Sequence, residues 1–219
     1  MALDIRQVER GLLLLNDLPG VRGSGVVIPG SEPGTLGLSL DLSEGPLFGG
    51  WLGGDNFGSR STGITRVVGD VRINDPTGRG DAGDLYLSHS EGTNSATASY
   101  GTPLGLSGLR SRLAMSYMRY ELGGDLAQLD GKGSSAWVSA GLSYPLRRTR
   151  ASSVFLTASL DAKRLRDELL GQSVSSRDSQ ALSAGVRGNH LFASRPRMLE
   201  YSLVLTGGKL DRGGNALGP

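Results

Sequence analysis

The chain has 219 residues, which is enough for one sizeable domain or for a small domain and part of a larger one. Its 23 basic residues are interleaved with 21 acidic ones, so no basic stripe forms and no nucleic-acid partner is expected. The absence of cysteine excludes disulfides and cysteine-ligated metals, and the two histidines, His89 and His190, lie far apart. We therefore expect no metal site and no cofactor.

Neither end of the chain resembles a complete terminus. Residues 1–6 lack the basic and apolar regions of a signal peptide, and the tail DRGGNALGP is typical of a loop. These features lead us to expect a fragment of a longer protein.

The first predicted element is a helix around four consecutive leucines, Leu12 to Leu15. A transmembrane helix needs about 20 mostly apolar residues, and Arg10 and Asn16 bracket this short run, so we expect the helix to fold in water. Asp4 and Gln7 have the spacing of a capping box at its start.

Apolar residues on this helix recur at helical intervals and form one stripe: Ile5, Val8, Leu12 and Leu15. Leu3 and Val8 have the spacing of a hydrophobic staple, and Pro19 with Gly20 ends the helix. We predict that the stripe packs as a core helix on a sheet.

Two strands are predicted after the helix, over residues 21–28 and 36–42. In the second, leucines alternate with small or polar residues, which is typical of a half-buried strand. A helix and two strands bury too little apolar surface to be stable alone. We therefore expect residues 1–45 to need either a missing N-terminal part or the next domain for stability.

From Leu47 onward, alternation with a period of two replaces the helical period. It predicts about nine amphipathic strands, including weak ones near residues 47–57, 82–90 and 94–102. Four connections are tight and contain proline, whereas ELGGDLAQLDGKG and LRDELLGQSVSSRD read as long loops. Short turns at one end and long loops at the other are typical of an outer-membrane barrel.

One face of these strands is charged, and the predicted members of that face are Arg66, Asp70, Arg72, Arg110, Arg112, Asp161, Lys163 and Arg187. Unpaired buried charges are very costly, so this face must meet water while the other face is apolar. A soluble sandwich with one wet face and a barrel with a wet lumen both satisfy this condition. The length and the turn asymmetry favour the barrel, for which we predict a lumen-facing role for the eight residues.

Several segments, in their order along the chain, resemble a known family. VERGLLLLNDLPGV is similar to the helix-to-strand segment of the second POTRA domain of two-partner secretion transporters, the haemolysin activation and secretion proteins of the Omp85 superfamily. DNFGSRSTG, NDPTGRGD, LSYPLRRTR and LDAKRLRDELLG resemble family segments of the barrel. The resemblance covers roughly residues 4 to 192.

The resemblance implies a mainly β chain, in which a partial transmembrane antiparallel β-barrel over residues 46–219 follows a partial α/β POTRA domain. It implies an outer-membrane channel that exports an unfolded exoprotein from the periplasm, with outer-membrane lipid around the barrel and the POTRA part in the periplasm. The corresponding POTRA strand is an exposed edge, which makes it the candidate substrate-binding edge: Val21, Arg22, Gly23, Val26 and Val27.

Other local motifs have simpler explanations. Arg79-Gly80-Asp81 resembles an integrin-binding tripeptide, but a hairpin turn explains it better. The GGD triplets at 53–55 and 123–125 lack the context of phosphate or calcium sites. No catalytic constellation is present, so we expect no enzyme. Four tyrosines are candidates for an interfacial girdle or for ordinary strand positions: Tyr117, Tyr120, Tyr144 and Tyr201.

Two alternatives remain open at this point. An Omp85-type assembly factor shares POTRA domains and a barrel but inserts membrane proteins. A soluble β-rich binding or adhesion protein would use the charged face as a solvated surface. The number of POTRA domains distinguishes the first alternative, and partitioning into membranes distinguishes the second.

Overall fold

The computed structural model describes residues 4–31, 35–192 and 197–213. The predicted helix is present as α1 (Ile5–Asn16), with Asp4 as its N-cap. The capping box is not formed, because Asp4 Oδ1 accepts from Arg6 N at 3.0 Å rather than from the amide of Gln7. Leu3, the predicted staple residue, lies outside the described residues.

A hairpin of two antiparallel strands follows α1. β1 (Val21–Pro29) pairs with β2 (Leu36–Glu44) in an unbroken register, and these strands agree with the predicted ones to within two residues. The small sheet shares no ladder with the rest of the described chain.

The remaining strands form one antiparallel meander in which every strand pairs with its neighbours in sequence. The nine described strands are β3 (Phe48–Asp55), β4 (Arg66–Asn74), β5 (Ala82–Ser90), β6 (Thr93–Pro103), β7 (Arg110–Glu121), β8 (Lys132–Arg148), β9 (Ser152–Leu169), β10 (Gln172–Phe192) and β11 (Arg197–Gly213). Over the described residues the sheet is open, with β3 and β11 at its edges. The predicted fold class, a mainly β chain with a partial antiparallel barrel, is confirmed.

The predicted long loop over residues 165–178 is wrong. β9 and β10 continue through this segment as a tall hairpin and meet at a two-residue turn, Leu170-Gly171. Both turn residues have positive φ, 51° and 74°, as a type I′ turn requires. The segment was misread because its strands are charged on both faces, which hides the period of two.

The other predicted long loop, ELGGDLAQLDGKG, is a true connection between β7 and β8 and contains a short 3₁₀ helix, Gly124–Leu129.

Three of the four consecutive leucines of α1 are divided between two surfaces. A methyl group added at Gly23 or Gly25 would lie 2.5 Å from Leu15 Cδ2 or 2.9 Å from Leu12 Cδ1, so these leucines cover the small sheet. Leu14 lies against Gly108 in the β6–β7 turn. The predicted core helix is therefore only half-buried, and it is wedged between the hairpin and the turns of the large sheet.

The β4–β5 turn is organised by Asp81, whose side chain is fully buried. Burial raises the pKa of this carboxyl, but hydrogen bonds from the Tyr100 hydroxyl and from Thr77 outweigh it and lower the pKa to about 2. The Thr77 hydroxyl and amide donate to Oδ1 at 2.8 and 3.3 Å. The Arg79-Gly80-Asp81 tripeptide is thus part of a tight turn, with its aspartate inaccessible.

We expect Asp81→Asn to lower the free energy of unfolding by about 1–3 kcal/mol at pH 7, because it removes an ionised acceptor of several hydrogen bonds. Since the folded pKa lies below the ordinary 3.8, the contribution of ionised Asp81 is complete above about pH 4 and is lost as the pH falls through 2. Urea unfolding of the detergent-folded protein, followed by tryptophan fluorescence, measures the difference. This account would be contradicted if Asp81→Asn did not lower the free energy of unfolding at pH 7, or if it lowered it by the same amount at pH 2.

Candidate functional sites on a sheet face and a strand edge

The strand register of the large sheet places the predicted charged residues on one face. Paired residues in an antiparallel ladder point to the same side, and alternate residues along a strand do so as well. Followed from β4 to β10, the register puts the following residues together on what we name the charged face: Arg66, Asp70, Arg72, Arg110, Arg112, Asp161, Lys163 and Arg187.

Asp84 joins the arginines of the charged face into a network that the sequence analysis missed. Its carboxylate is 2.6 Å from Arg72 Nε and 3.7 Å from Arg112 Nη2. Ser99 bridges the same groups, donating to Asp84 Oδ2 at 3.2 Å and accepting from Arg112 at 2.8 Å. These pairs are exposed and add little stability, but they balance charge across four strands. Alternation of Asp84 with Leu85 is the signal that could have identified it.

Aromatic residues also belong to the charged face, and two of them contact its charged groups. The Arg187 guanidinium carbon lies 5.5 Å from the ring centre of Phe155, within the range of a cation–π contact. Tyr120 donates to Asp167 Oδ1 at 2.9 Å. Tyr120 is therefore not part of an outward girdle, whereas Tyr117, Tyr144 and Tyr201 lie on the opposite face.

The charged face and the C-terminal end of α1 line a hollow of about 1040 Å³. Arg72, Asp84 and Arg112 contribute to its wall on the sheet side, and Asp17 and Leu18 contribute from the helix side. The helix thus stands at one open end of the space in front of the charged face.

Polar contacts hold α1 at this end of the sheet. Asp17 forms a two-pronged ion pair with Arg148, at 2.7 and 2.9 Å. Arg10 donates to the carbonyl of Pro145 at 2.9 Å. Arg110, one of the predicted lumen-facing residues, donates to the carbonyls of Gly80 and Asp17 at 3.2 and 3.4 Å, so it bridges the sheet and the helix.

The opposite face of the sheet, which we name the apolar face, carries the large hydrophobic residues. Leu142 and Leu156, like Leu205 at 72% exposure, point away from the protein. Val68 is the only hydrophobic side chain that is buried among the described residues. The sheet therefore turns its apolar residues outward instead of enclosing them in a core.

Tyrosines mark the apolar face at two levels. Tyr117 pairs with Ala136 on β8, eight residues before Tyr144 on the same strand. At about 3.3 Å per residue, the two levels lie roughly 26 Å apart along the strand. Outer-membrane barrels have an apolar band about 25 Å tall, flanked by aromatic girdles, and because their strands tilt by about 35–45° the spacing of these tyrosines corresponds to roughly 20 Å of that height.

The free edge of β1 is a second candidate site. Gly30, just beyond β1, donates to Thr35 O at 2.8 Å, so even-numbered residues of β1 use their backbone groups to pair with β2. Odd-numbered residues point their N–H and C=O groups outward. At Gly23 both groups are already bonded, because the Asn16 amide donates to Gly23 O at 2.7 Å and accepts from Gly23 N at 3.0 Å.

Two kinds of feature are absent from the described residues. None of the helices is long and apolar enough to cross a membrane. No group of three or more His, Asp or Glu side chains is placed to hold a metal ion.

An open meander with one charged and one apolar face defines a partial membrane-type β-barrel. A family model for the "haemolysin secretion/activation protein ShlB/FhaC/HecB" matches residues 35–208, and the chain belongs to this family. This match confirms the resemblance to the haemolysin activation and secretion proteins.

Among curated relatives, the heme/hemopexin transporter protein HuxB of Haemophilus influenzae (strain 86-028NP) is 27% identical over 186 residues, which is 84% of this chain and 33% of that protein. The outer membrane transporter CdiB of Dickeya dadantii (strain 3937) is 25% identical over 126 residues, 58% of this chain and 21% of that protein. The chain spans about a third of the length of the first relative.

Solved structures of two further CdiB proteins share the fold. CdiB from Escherichia coli superimposes with a TM-score of 0.81 at 23% identity, covering 94% of this chain and 40% of that one. CdiB from Acinetobacter baumannii gives a TM-score of 0.71 at 18% identity, covering 96% and 44%.

The two faces of β8 can be compared directly by placing the same charge on each. We expect Leu142→Arg to lower the free energy of unfolding in lipid by about 1–3 kcal/mol, because it places a charge on the apolar face between the level of Tyr144 and the middle of the apolar band. The control Ser139→Arg puts arginine on the charged face opposite Asp161, and we expect less than about 1 kcal/mol of change. Urea unfolding in lipid vesicles measures both. A reversed order of the two penalties would show that the faces are misassigned.

Proposed function

We propose that this chain is part of an outer-membrane translocator that exports a large exoprotein of the haemolysin or adhesin type by two-partner secretion. The observation that carries the proposal is the two-faced sheet of a family member, which has outward apolar residues and almost no buried apolar core. The relatives named for transport, HuxB and CdiB, support the same class.

In this proposal residues 46–219 belong to the barrel in the outer membrane, and residues 1–45 belong to a POTRA domain in the periplasm. The apolar face contacts lipid, and the charged face lines the aqueous lumen. The hollow between that face and α1 is then the periplasmic entrance of the conduit. Asp84 balances the charge of the arginines beside it, so this wall is polar but has no large electrostatic field of one sign. Such a wall suits the passage of an extended chain of varied sequence.

The alternatives fit the structure less well. A soluble β-rich protein of this size needs a buried core, and the described residues contain one buried hydrophobic side chain. An Omp85-type assembly factor shares the fold, but the family match is to secretion proteins.

The substrate docks, in this proposal, along the outer edge of β1. An extended segment adds to an exposed edge through backbone hydrogen bonds, which tolerate many sequences and suit a receptor for unfolded chains. Arg22 and Val26, two of the predicted edge residues, direct their backbone groups toward β2 and contribute only side chains.

The available edge is short. Val21 N bonds Leu18 O at 3.4 Å, and Gly23 is occupied by Asn16. Pro29 has no N–H to offer. The outward backbone groups of Gly25 and Val27 are left as the docking window.

Val27→Pro tests the docking window, because it removes one outward N–H at a position where an edge strand tolerates proline. We expect the complete reading frame with Val27→Pro to release at least tenfold less exoprotein. The readout is quantitative mass spectrometry of the culture medium from strains with and without the gene, which identifies any protein whose release depends on it.

The matched control is Val27→Thr, which keeps the N–H and the side-chain size and should stay within twofold of wild type. Heat-modifiable gel migration verifies that each barrel is folded and inserted. Normal release by a well-inserted Val27→Pro variant would exclude this edge and shift attention to the polar face of α1 near Gln7. Absence of any gene-dependent protein in the medium would instead count against secretion itself.

Asn16→Ala addresses the occupied part of the edge. It frees the N–H and C=O of Gly23, so the docking window lengthens from two outward residues to three. We expect tighter binding of the exoprotein's secretion domain to the purified protein, by about three- to tenfold, measured by surface plasmon resonance. Unchanged or weaker binding would show that Asn16 only ties α1 to β1.

A further inference from the structure

Beyond the level of Tyr117, the apolar face becomes charged. β7 to β10 continue upward, and successive rows of laterally paired residues can be followed across them. The row at Tyr117 contains Arg164 and Asp178, the next contains Arg119, Ser134 and Arg166, and the third contains Glu121, Lys132 and Glu168. This end of the sheet is opposite to the turns that contact α1.

Ion pairs occupy the first and third rows. Arg164 binds Asp178 through two contacts, at 2.9 and 3.3 Å, and Lys132 lies 3.7 Å from Glu168. Arg119 and Arg166, in the row between them, are exposed and make no side-chain hydrogen bond or ion pair with any described residue. Two guanidinium groups are therefore without a partner among the described residues, and the exposed carboxylate of Glu121 lies two residues from Arg119 on the same face.

The spacing of these arginines suits one shared anion. Each pairs laterally with Ser134, one from β7 and the other from β9. Adjacent strands are about 4.8 Å apart, so the two Cα atoms are separated by roughly 10 Å. The small side chain of Ser134 leaves room between the two arginines. Guanidinium groups match phosphate oxygens in a two-pronged geometry.

The position of the row indicates where that phosphate comes from. Tyrosine is enriched at the boundary between the apolar and polar layers of a membrane, and Arg119 follows Tyr117 on the same face. If the apolar face contacts lipid, which rests on the proposed function, this row lies in the headgroup layer of the leaflet away from α1. That leaflet is the outer one when α1 is periplasmic.

We propose that Arg119 and Arg166 form a binding site for a phosphate group of an outer-leaflet lipid. The site lies on the outside of the barrel, separate from the lumen and from the β1 edge. It fixes the height and rotation of β7 to β9 relative to the membrane surface.

The test uses the purified, lipid-stripped complete protein and diphosphorylated lipid A as the probe, with binding measured by native mass spectrometry. We expect R119Q/R166Q to weaken lipid binding at least tenfold. The matched control R177Q/R212Q removes two arginines that pair with each other on the charged face, and it should remain within twofold of wild type. Lipid A without phosphates should bind all proteins equally weakly.

Two further arms keep the outcome decisive. If R119Q/R166Q fails the heat-modifiability check for folding, R119K/R166K replaces it. This variant keeps the positive charge but loses the two-pronged geometry of the guanidinium group, so it should bind lipid A a few-fold more weakly. Wild-type binding by the glutamine variant, or by the lysine variant when that is the one tested, overturns the site. Competition by inorganic phosphate at the concentration of the lipid would assign the arginines to free anions instead. Exoprotein release is measured separately, so loss of this site leaves the secretion proposal intact.

Discussion

The antiparallel hydrogen-bond ladder from β3 to β11 is the constraint on which the rest of the structure depends. It satisfies the backbone groups of each inner strand, and its pleat sends alternate side chains to opposite sides. The parity from β4 to β10, which shifts at bulges between Pro145 and Arg147 and between Ser173 and Ser175, therefore separates Arg72 and Arg112 from Leu142 and Leu156. The ladder also explains the scarcity of buried apolar residues, because a one-layer sheet has no second layer to enclose them.

Helix α1 connects the two sheets because its apolar surface is wider than a single stripe. Leu12 and Leu15 cover glycines of the hairpin, and Leu14 reaches the β6–β7 turn. The Asp17–Arg148 ion pair adds a directional contact to this packing. The small sheet is thereby held beside the hollow in front of the charged face, so a chain docked on the β1 edge would already lie near the proposed entrance.

The period of two was sufficient to locate most strands and to assign the charged face, because every strand with one apolar face carries that signal in its own residues. The hairpin over residues 165–178 escaped it, since both faces of the strands are polar above the level of Tyr117. Tyr120 was grouped with outward tyrosines because its residue type suits either face, and its hydrogen bond with Asp167 joins residues 47 positions apart. Asp84 was missed because the alternation in its strand is weak and its partners lie on β4, β6 and β7.

By itself, the sequence determined the fold class, the number of strands, the two faces of the sheet and the resemblance to a secretion family, since these depend on local alternation and on the order of motifs. Only the tertiary structure decided which charges pair, where α1 is anchored and which part of the β1 edge is open. Asn16 and Gly23 are seven positions apart, yet the bonds between them follow from the angle at which the helix returns onto the strand. The free state of Arg119 and Arg166 likewise depends on register across β7 to β9, which a local pattern does not encode because it arises from pairing between distant segments.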